Sequence, residues 1–234
     1  MSAIYKREMK AFFKTPAGYV FMAIFIAASG FLFSFTCLRG QTTDVSSYFV
    51  MLMFAYVILI PLLTMKSFAE ERRQGTEQLL LTSPVGVVRL VAAKFLACFT
   101  MFMITMGVTL FYMIPLAAHG AVNVGRTLGC YIGMVLIAVC FIGIGIFIST
   151  LTSNQFVAAL GTIGALAFLL AIGLLESYVG EGFIKTVIGW LSIYSRFSYF
   201  TYGLFDVASA IYYISVGALF LFLAVRSVER RRYM

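Results

Sequence analysis

The sequence predicts an all-α membrane protein with six transmembrane helices and an N-terminal amphipathic interfacial helix. Of its 234 residues, 62% are hydrophobic and only 11% are charged, whereas a soluble domain has about 25% charged residues. The apolar residues form long uncharged blocks, which is typical of membrane spans. The basic residues collect beside these blocks, which is typical of a topology signal and not of a surface that binds nucleic acid.

Six apolar blocks are long enough to cross a bilayer. Between Arg126 and Glu176 lie 49 residues without a charge, and as one helix they would extend about 73 Å, roughly twice the hydrocarbon core. This block therefore holds two spans, and the polar run at 149–155 separates them. We expect the six spans at about 18–38, 47–65, 94–117, 127–148, 156–175 and 207–225.

The positions of Lys and Arg predict the orientation of the chain. One side of the membrane receives 13 of these cations, at the N-terminus, in the 66–88 connection and its flanks, and after the last span. The other side receives Arg39, Arg126, Lys185 and Arg196. Because Lys and Arg are retained in the cytoplasm, both termini and the 66–88 connection are predicted to be cytoplasmic. Lys94 is counted here with the charges around that connection.

Residues 1–17 are predicted to form an interfacial helix that lies among the lipid headgroups. At helical spacing its residues separate into an apolar arc and a basic arc, which is typical of such helices. The two arcs are Tyr5, Met9, Phe12 and Phe13, and Lys6, Arg7, Lys10 and Lys14. Pro16 is expected to stop the helix. The alternative is a disordered basic leader that only sets the orientation.

Two further features concern the side opposite the termini and the packing of the spans. Residues 176–206 combine many aromatic side chains with few charges, so we expect external interfacial or re-entrant helices there. Gly129 and Gly133 form a GxxxG pattern, and Gly161 with Gly164 adds another small face. Small faces of this kind permit close helix packing.

The 66–88 connection contains the most unusual stretch, FAEERRQGTEQLLLTSPV. Its five charges within eight positions are Glu70, Glu71, Arg72, Arg73 and Glu77. Helix-forming residues occupy 67–81 except at Gly75, and Pro84 ends the run. A short helix with a charged start and an apolar end suits docking on another protein. The alternative is a solvated loop whose charges merely retain it in the cytoplasm.

The sequence contains no pattern typical of an enzyme. It has one histidine and four cysteines, with no HExxH, no CxxC and no GxxxxGK[ST] phosphate loop. We therefore predict no catalytic residues, no metal site and no cofactor. The cysteines Cys37, Cys98, Cys130 and Cys140 are expected to be buried structural thiols. No predicted span has a charge near its middle, which argues against an ion-coupled carrier.

Residues 71–85, ERRQGTEQLLLTSPV, resemble the cytoplasmic loop of ABC-2-type permeases, which are the membrane subunits of a class of ATP-driven transporters. In that family the loop follows the second span and carries an acidic and basic pair, Gly-Thr, Glu-x-Leu-Leu and a Pro. The opening IYKREMKAFFKTPAGYV is similar to the family's basic interfacial helix. The stretch RFSYFTYGLFDVASAIYYISVGALFLFLAVRSVERRR is similar to the end of the gliding-motility permease branch. Where that branch often has Phe-Glu and Arg-Gly, this chain has Phe197-Ser198 and Tyr202-Gly203.

The resemblance implies an ABC-2 (type V exporter-like) fold, with residues 1–234 as one non-catalytic transmembrane permease domain. It implies two ATPase subunits and a second permease chain, identical or a paralogue, in a bacterial cytoplasmic (inner) membrane. The ATPase-coupling residues that it implies are Glu70, Glu71, Arg72, Arg73, Gly75, Thr76, Leu79, Leu80 and Pro84. The interfacial helix, with Tyr5, Lys6, Arg7, Lys10, Phe12, Phe13 and Lys14, would flank that contact.

Members of the family are mostly exporters, so the resemblance implies export. The residues themselves favour a hydrophobic or amphipathic substrate such as a lipid, a peptide or a drug. Apolar, aromatic and Met-rich surfaces suit such substrates. The small polar residues expected on these surfaces, at the turn between spans four and five, are Ser149, Thr150, Thr152, Asn154 and Gln155. A channel or secondary carrier and a lipid-acting assembly factor, both without an ATPase, are the alternatives.

Overall fold

The computed structural model describes residues 2–40, 42, 44–73, 75, 86–119, 123–175, 189 and 192–232. All regular structure in these residues is helical, which confirms the predicted all-α class. The α-helices are α1 (Ser2–Lys14), α2 (Pro16–Phe33), α3 (Ser46–Thr64), α4 (Lys66–Arg73), α5 (Val87–Val108), α6 (Met113–His119), α7 (Val124–Leu151), α8 (Gln155–Leu175), α9 (Ile193–Thr201) and α10 (Val207–Arg232).

Six helical stretches in the described part of the chain are long and apolar enough to cross a membrane, which confirms the expected six-helix architecture. They are Pro16–Leu38, Ser46–Arg73, Val87–Ala117, Val124–Leu151, Gln155–Leu174 and Val207–Arg231. The first stretch ends in a π-helical turn, and the third passes through a 3-10 turn from α5 into α6. The third of these stretches begins at Val87, the first residue of α5, seven residues before the start that we expected at Lys94.

Helix α7 lies at the centre of the bundle, where it contacts α3, α4, α5, α8, α9 and α10. Its crossing with α10 is close. A Cβ atom added at Gly143 would lie 2.8 Å from the carbonyl oxygen of Gly217 and 3.2 Å from its Cα. On the α3 side, a Cβ atom at Gly145 would overlap the side chain of Thr64. Glycine is therefore required at both positions for the neighbouring helices to pack this closely.

The Gly129/Gly133 pair is covered by α9 of the same chain. A Cβ atom at Gly133 would lie 2.9 Å from the ring of Phe197 and 3.0 Å from Phe200 Cβ. Both phenylalanines are fully buried. The GxxxG pattern therefore serves packing within the chain. Helix α9 lies within the predicted external segment, of which residues 176–188, 190 and 191 lie outside the described residues.

Several buried hydroxyl groups in the bundle have hydrogen-bond partners, which offsets the cost of burying them. The hydroxyl groups of Ser29 and Tyr48 lie 2.8 Å apart, and those of Thr109 and Tyr131 lie 3.1 Å apart. The Tyr213 hydroxyl donates to the Ile193 carbonyl at 2.8 Å, which joins α10 to α9. The four cysteines are buried free thiols, as the sequence predicted.

Candidate functional site

The charged segment singled out in the sequence begins as a continuation of the second span. Helix α4 follows α3 with a break only at Met65, whose N–H donates to the Pro61 carbonyl at 2.9 Å. Pro61 has no N–H, so the carbonyl of Val57 lacks its helical partner. This missing bond weakens α3 one turn before α4 begins. We call the end of the bundle that carries α1 and α4 the α4 end.

Helix α4 is held against α7 by the hydroxyl of Ser149. The backbone N–H groups of Phe68 and Ala69 donate to Ser149 Oγ at 3.1 and 3.2 Å, and this oxygen donates to the Met65 carbonyl at 3.3 Å. The first N–H groups of a helix have no partner within the helix, and here a neighbouring helix supplies one. Ser149 and Thr150 are both buried, so the expectation that they belong to an accessible substrate surface is wrong.

We expect Ser149→Ala to lower the free energy of unfolding by about 1–3 kcal/mol, because two buried N–H groups lose their acceptor. The midpoint of thermal unfolding in detergent measures the effect. Ser153→Ala is the matched control, since Ser153 is exposed in the adjoining turn, and it should leave the midpoint unchanged. Equal midpoints for the two variants would show that Ser149 does not hold α4.

A buried lysine lies at the centre of the α4 end. The side chain of Lys94, on α5, is 1% exposed. Its Nζ atom lies 2.9 Å from Glu71 Oε2 of α4 and 3.4 Å from Glu8 Oε1 of α1. It also donates to the Ser67 carbonyl at 2.6 Å, and it lies 5.0 Å from the ring centroid of Phe68. Lys94 thus joins three helices.

Arg7 completes this group of charges. Its Nη2 atom lies 2.9 Å from Glu8 Oε1 and 2.8 Å from Glu71 Oε1. We call Arg7, Glu8, Glu71 and Lys94 the charge cluster; its two cations balance its two carboxylates. Burial lowers the pKa of Arg7, but the hydrogen bonds and charges of Glu8 and Glu71 outweigh it, so the net pKa is raised. Neutrality matters because an unbalanced buried charge is strongly destabilising.

Helix α1 lies against α5 and has the predicted amphipathic character. The Tyr5 hydroxyl donates to Thr100 Oγ1 at 3.0 Å, and Met9 and Phe12 pack against the core. Lys6, Lys10 and Lys14 are exposed, as is Phe13 of the predicted apolar arc. The alternative of a disordered basic leader is therefore wrong.

A cavity of about 420 Å³ separates α1, α4 and α5 beside the charge cluster. Its lining combines Phe12 and Cys98 with Lys66, Ser67 and Glu70, besides the cluster residues. The Ser67 hydroxyl is buried and has no hydrogen-bond partner among the described residues. The three helices are therefore less tightly packed here than at the crossings of α7.

The predicted coupling residues fall into two groups. Glu70, Glu71, Arg72 and Arg73 lie on α4, and Gly75 follows with a φ of 71°. Thr76, Leu79, Leu80 and Pro84 lie outside the described residues. Helix α4 ends at Arg73, so the helix that carries the charged start does not continue through Gly75 to the apolar end. The left-handed conformation of Gly75 ends the helix, which is a common role of glycine.

The family is shown by a comparison of the whole sequence. A family model described as ABC-2 family transporter protein matches residues 33–228. The chain belongs to the ABC-2 transporter family. No match was found among curated proteins.

Members of the ABC-2 family are membrane transport components that pair with an ATP-binding-cassette ATPase, so this chain is a permease subunit of an ABC transporter. The match does not single out the gliding-motility branch, and membership of that branch stays a prediction. It also begins after α1, so Arg7 and Glu8 of the permease lie outside the matched region.

Sequence reasoning missed two members of the charge cluster. Lys94 was counted with the charges around the 66–88 connection, but in this ABC-2 permease it is buried in α5. The sequence does indicate that Lys94 is unusual, because Lys94 interrupts the apolar run LVAAKFLAC. Glu8 is the only acidic residue before Asp44, among the basic residues of α1. A lone acid there and a lone lysine in an apolar run are candidates for mutual pairing.

Proposed function

We propose that a separate ATPase drives this permease by binding the 66–88 connection and moving the bundle through the charge cluster. The main observation that supports this proposal is that the buried Lys94 of α5 lies between Glu71 of α4 and Glu8 of α1. A displacement of α4 must carry α5 with it or separate a buried cation from its carboxylate. Separating the buried cation from its carboxylate costs several kcal/mol, so α4 and α5 move together.

The contact between α4 and α7 provides a second route for the same movement. Because Ser149 binds the N–H groups of Phe68 and Ala69, a push on α4 reaches the central helix directly. Pro61 and Met65 weaken the connection to α3. Helix α4 can therefore turn relative to α3 while it stays attached to α5 and α7.

The described geometry favours a division of roles among the coupling residues. Arg72 and Arg73 are exposed at the end of α4, where they can pair with acidic groups of the ATPase. Glu71 faces Lys94 and transmits the movement instead of contacting the ATPase. Gly75 and Thr76 would set the turn, Leu79 and Leu80 would be the apolar anchor, and Pro84 would end the coupling segment.

The proposed arrangement has the α4 end in the cytoplasm of a bacterium, with both termini on that side of the cytoplasmic (inner) membrane. The uneven distribution of Lys and Arg supports this orientation. Two ATPase subunits and a second permease chain, identical or a paralogue, would complete the transporter. Large exposed apolar surfaces on α8 and α10 support contact with lipids, and the function proposed is export of a hydrophobic or amphipathic substrate.

Co-purification tests the proposal. The tagged chain is extracted in mild detergent after co-expression with its genomic neighbours, and an ATPase is expected to elute with it in stoichiometric amount. Leu80→Asp should abolish this association, because losing a buried apolar anchor costs about 2 kcal/mol or more, roughly a 30-fold loss of affinity. Leu80→Met, which keeps the apolar volume, should retain the ATPase.

Membrane insertion of all three chains is checked by their recovery in the membrane fraction. A native chain that elutes folded but without an ATPase would overturn the proposal and favour the channel or assembly-factor alternatives. Retention of the ATPase by Leu80→Asp would show that the contact lies elsewhere.

A further inference from the structure

The last turns of α10 form a cationic groove at the α4 end. This groove has a volume of about 490 Å³. It is lined by Leu151, Leu223, Arg226, Ser227, Arg230 and Arg231. Leu151 is 54% exposed and Leu223 is 37% exposed, so the groove has accessible hydrocarbon beside its three guanidinium groups.

The three guanidinium groups differ in their hydrogen bonds and ion pairs within the chain. Arg231 donates to the Thr150 carbonyl and so holds α10 against the end of α7. Arg226 has a long contact of 3.5 Å to Glu229, and its side chain is 68% exposed. Arg230 is exposed and makes no hydrogen bond or ion pair within the described part of the chain. Arg226 and Arg230 are thus available to an external anion.

A second, apolar groove lies on the other side of Arg226. It has a volume of about 440 Å³ between α10 and the start of α5. Its apolar lining is Val88, Val91, Ala92, Leu221, Phe222 and Val225, and Glu229 lines it beside Arg226. Val88 and Phe222 are more than half exposed. Arg226 borders both grooves, so a cationic site for an anion and an apolar site for hydrocarbon adjoin at one residue.

The position of Arg226 along α10 corresponds to the headgroup level of a bilayer. From Val207 to Arg226 the helix rises about 29 Å, which is close to the roughly 30 Å thickness of the hydrocarbon core. If Val207 lies at one boundary of the core, Arg226 lies at the other. This position of Arg226 follows from the length of α10 and is independent of ATPase coupling.

We propose that the two grooves bind an anionic phospholipid, with its phosphate at Arg226 and Arg230 and an acyl chain along Phe222 and Val225. Guanidinium groups form two parallel hydrogen bonds with phosphate oxygens. Basic pockets at the ends of membrane helices attract anionic headgroups. The adjoining apolar groove favours a lipid over a free anion, because a free anion would leave that groove unoccupied.

Fluorescence quenching by brominated lipids tests the site. The only tryptophan of the chain, Trp190, is replaced by Phe, and Leu151→Trp places a reporter in the cationic groove. The protein is reconstituted in vesicles that contain brominated phosphatidylglycerol or brominated phosphatidylcholine. We expect the relative binding constant to favour phosphatidylglycerol about tenfold, and 0.5 M NaCl to reduce this preference.

Variants separate a specific site from the general charge of the membrane face. Arg226→Gln/Arg230→Gln should abolish the preference for phosphatidylglycerol, and Arg226→Lys/Arg230→Lys should keep part of it. Lys10→Gln/Lys14→Gln removes the same charge from exposed positions of α1 and should leave the preference unchanged. These charge variants should elute like the reporter chain, since Lys10, Lys14, Arg226 and Arg230 are exposed.

Three results would overturn the proposal. Equal quenching by the two lipids in the reporter chain, with Arg226 and Arg230 intact, would leave only non-selective annular lipid at the groove. Equal loss of preference in the α1 variant would assign the effect to overall charge. Persistence of the preference in Arg226→Gln/Arg230→Gln would place the lipid elsewhere. Under the first of these results, loss of a co-purifying ATPase from Arg226→Gln/Arg230→Gln would assign the arginines to a protein interface.

Discussion

Lys94→Met should lower the free energy of unfolding of the permease by about 3–5 kcal/mol, which is typical when one partner of a buried ion pair is removed. The substitution leaves Glu8 and Glu71, whose side chains are only 15% and 16% exposed, with Arg7 as the one remaining cation of the cluster. The cluster then carries a net negative charge away from bulk water. Unfolding of the purified protein in a denaturing detergent measures the loss.

The controls for Lys94→Met distinguish charge from packing. Lys10→Met makes the same exchange at an exposed position of α1 and should change stability by less than about 0.5 kcal/mol. Glu71→Gln/Lys94→Met restores neutrality, so the double variant should be more stable than Lys94→Met alone by about 1 kcal/mol or more. If Lys94→Met and Lys10→Met were equally stable, the charge cluster would not hold α1, α4 and α5 together.

Gly143→Leu should prevent α7 and α10 from packing at their observed distance. A Cβ atom at this position already lies 2.8 Å from a backbone oxygen of α10, and a backbone atom cannot move aside as a flexible side chain can. Overpacking of a core costs about 1–3 kcal/mol and occasionally more, and here a whole helix must shift. We expect about 3 kcal/mol of destabilisation, measured as a lower thermal midpoint and a smaller folded fraction after extraction.

Gly164→Leu is the matched control for Gly143→Leu. Gly164 lies on α8, and among the described residues no atom outside the adjacent backbone of α8 lies within 4 Å of a Cβ atom added there. The same substitution should be neutral or slightly stabilising, because Gly is about 1 kcal/mol less favourable than the best helix formers within a helix. A folded Gly143→Leu variant with the native midpoint would contradict the close α7–α10 crossing.

The helices of the fold were predictable because they depend on local patterns. Long apolar runs predicted the six spans, and the polar run at 149–155 contains the turn between α7 and α8. The opposite arcs of α1 were readable from helical spacing alone. The start of α5 was placed too late, since Lys94 was taken as a marker of the membrane boundary. Burial of Lys94 depends on carboxylates from α1 and α4, which are distant in sequence.

Part of the candidate site was predictable too, because it depends on local sequence patterns. Charge density marked the segment that begins with α4, and the resemblance of residues 71–85 to a family loop added its proposed role. Nothing local indicated that Glu71 would face inward while Arg72 and Arg73 would face outward. Nor could spacing reveal that Ser149, on a helix far along the chain, would bind the first N–H groups of α4.

By itself the sequence determined the all-α class, the six apolar helices and the amphipathic N-terminal helix, because hydrophobicity and helical periodicity act over neighbouring residues. Only the tertiary structure decided the partner of each small and charged residue. It assigned Gly143 to α10, the Gly129/Gly133 face to α9, and Lys94 to Glu8 and Glu71. Such partners depend on which helices lie side by side, and buried charges and close crossings are satisfied only when distant segments have assembled.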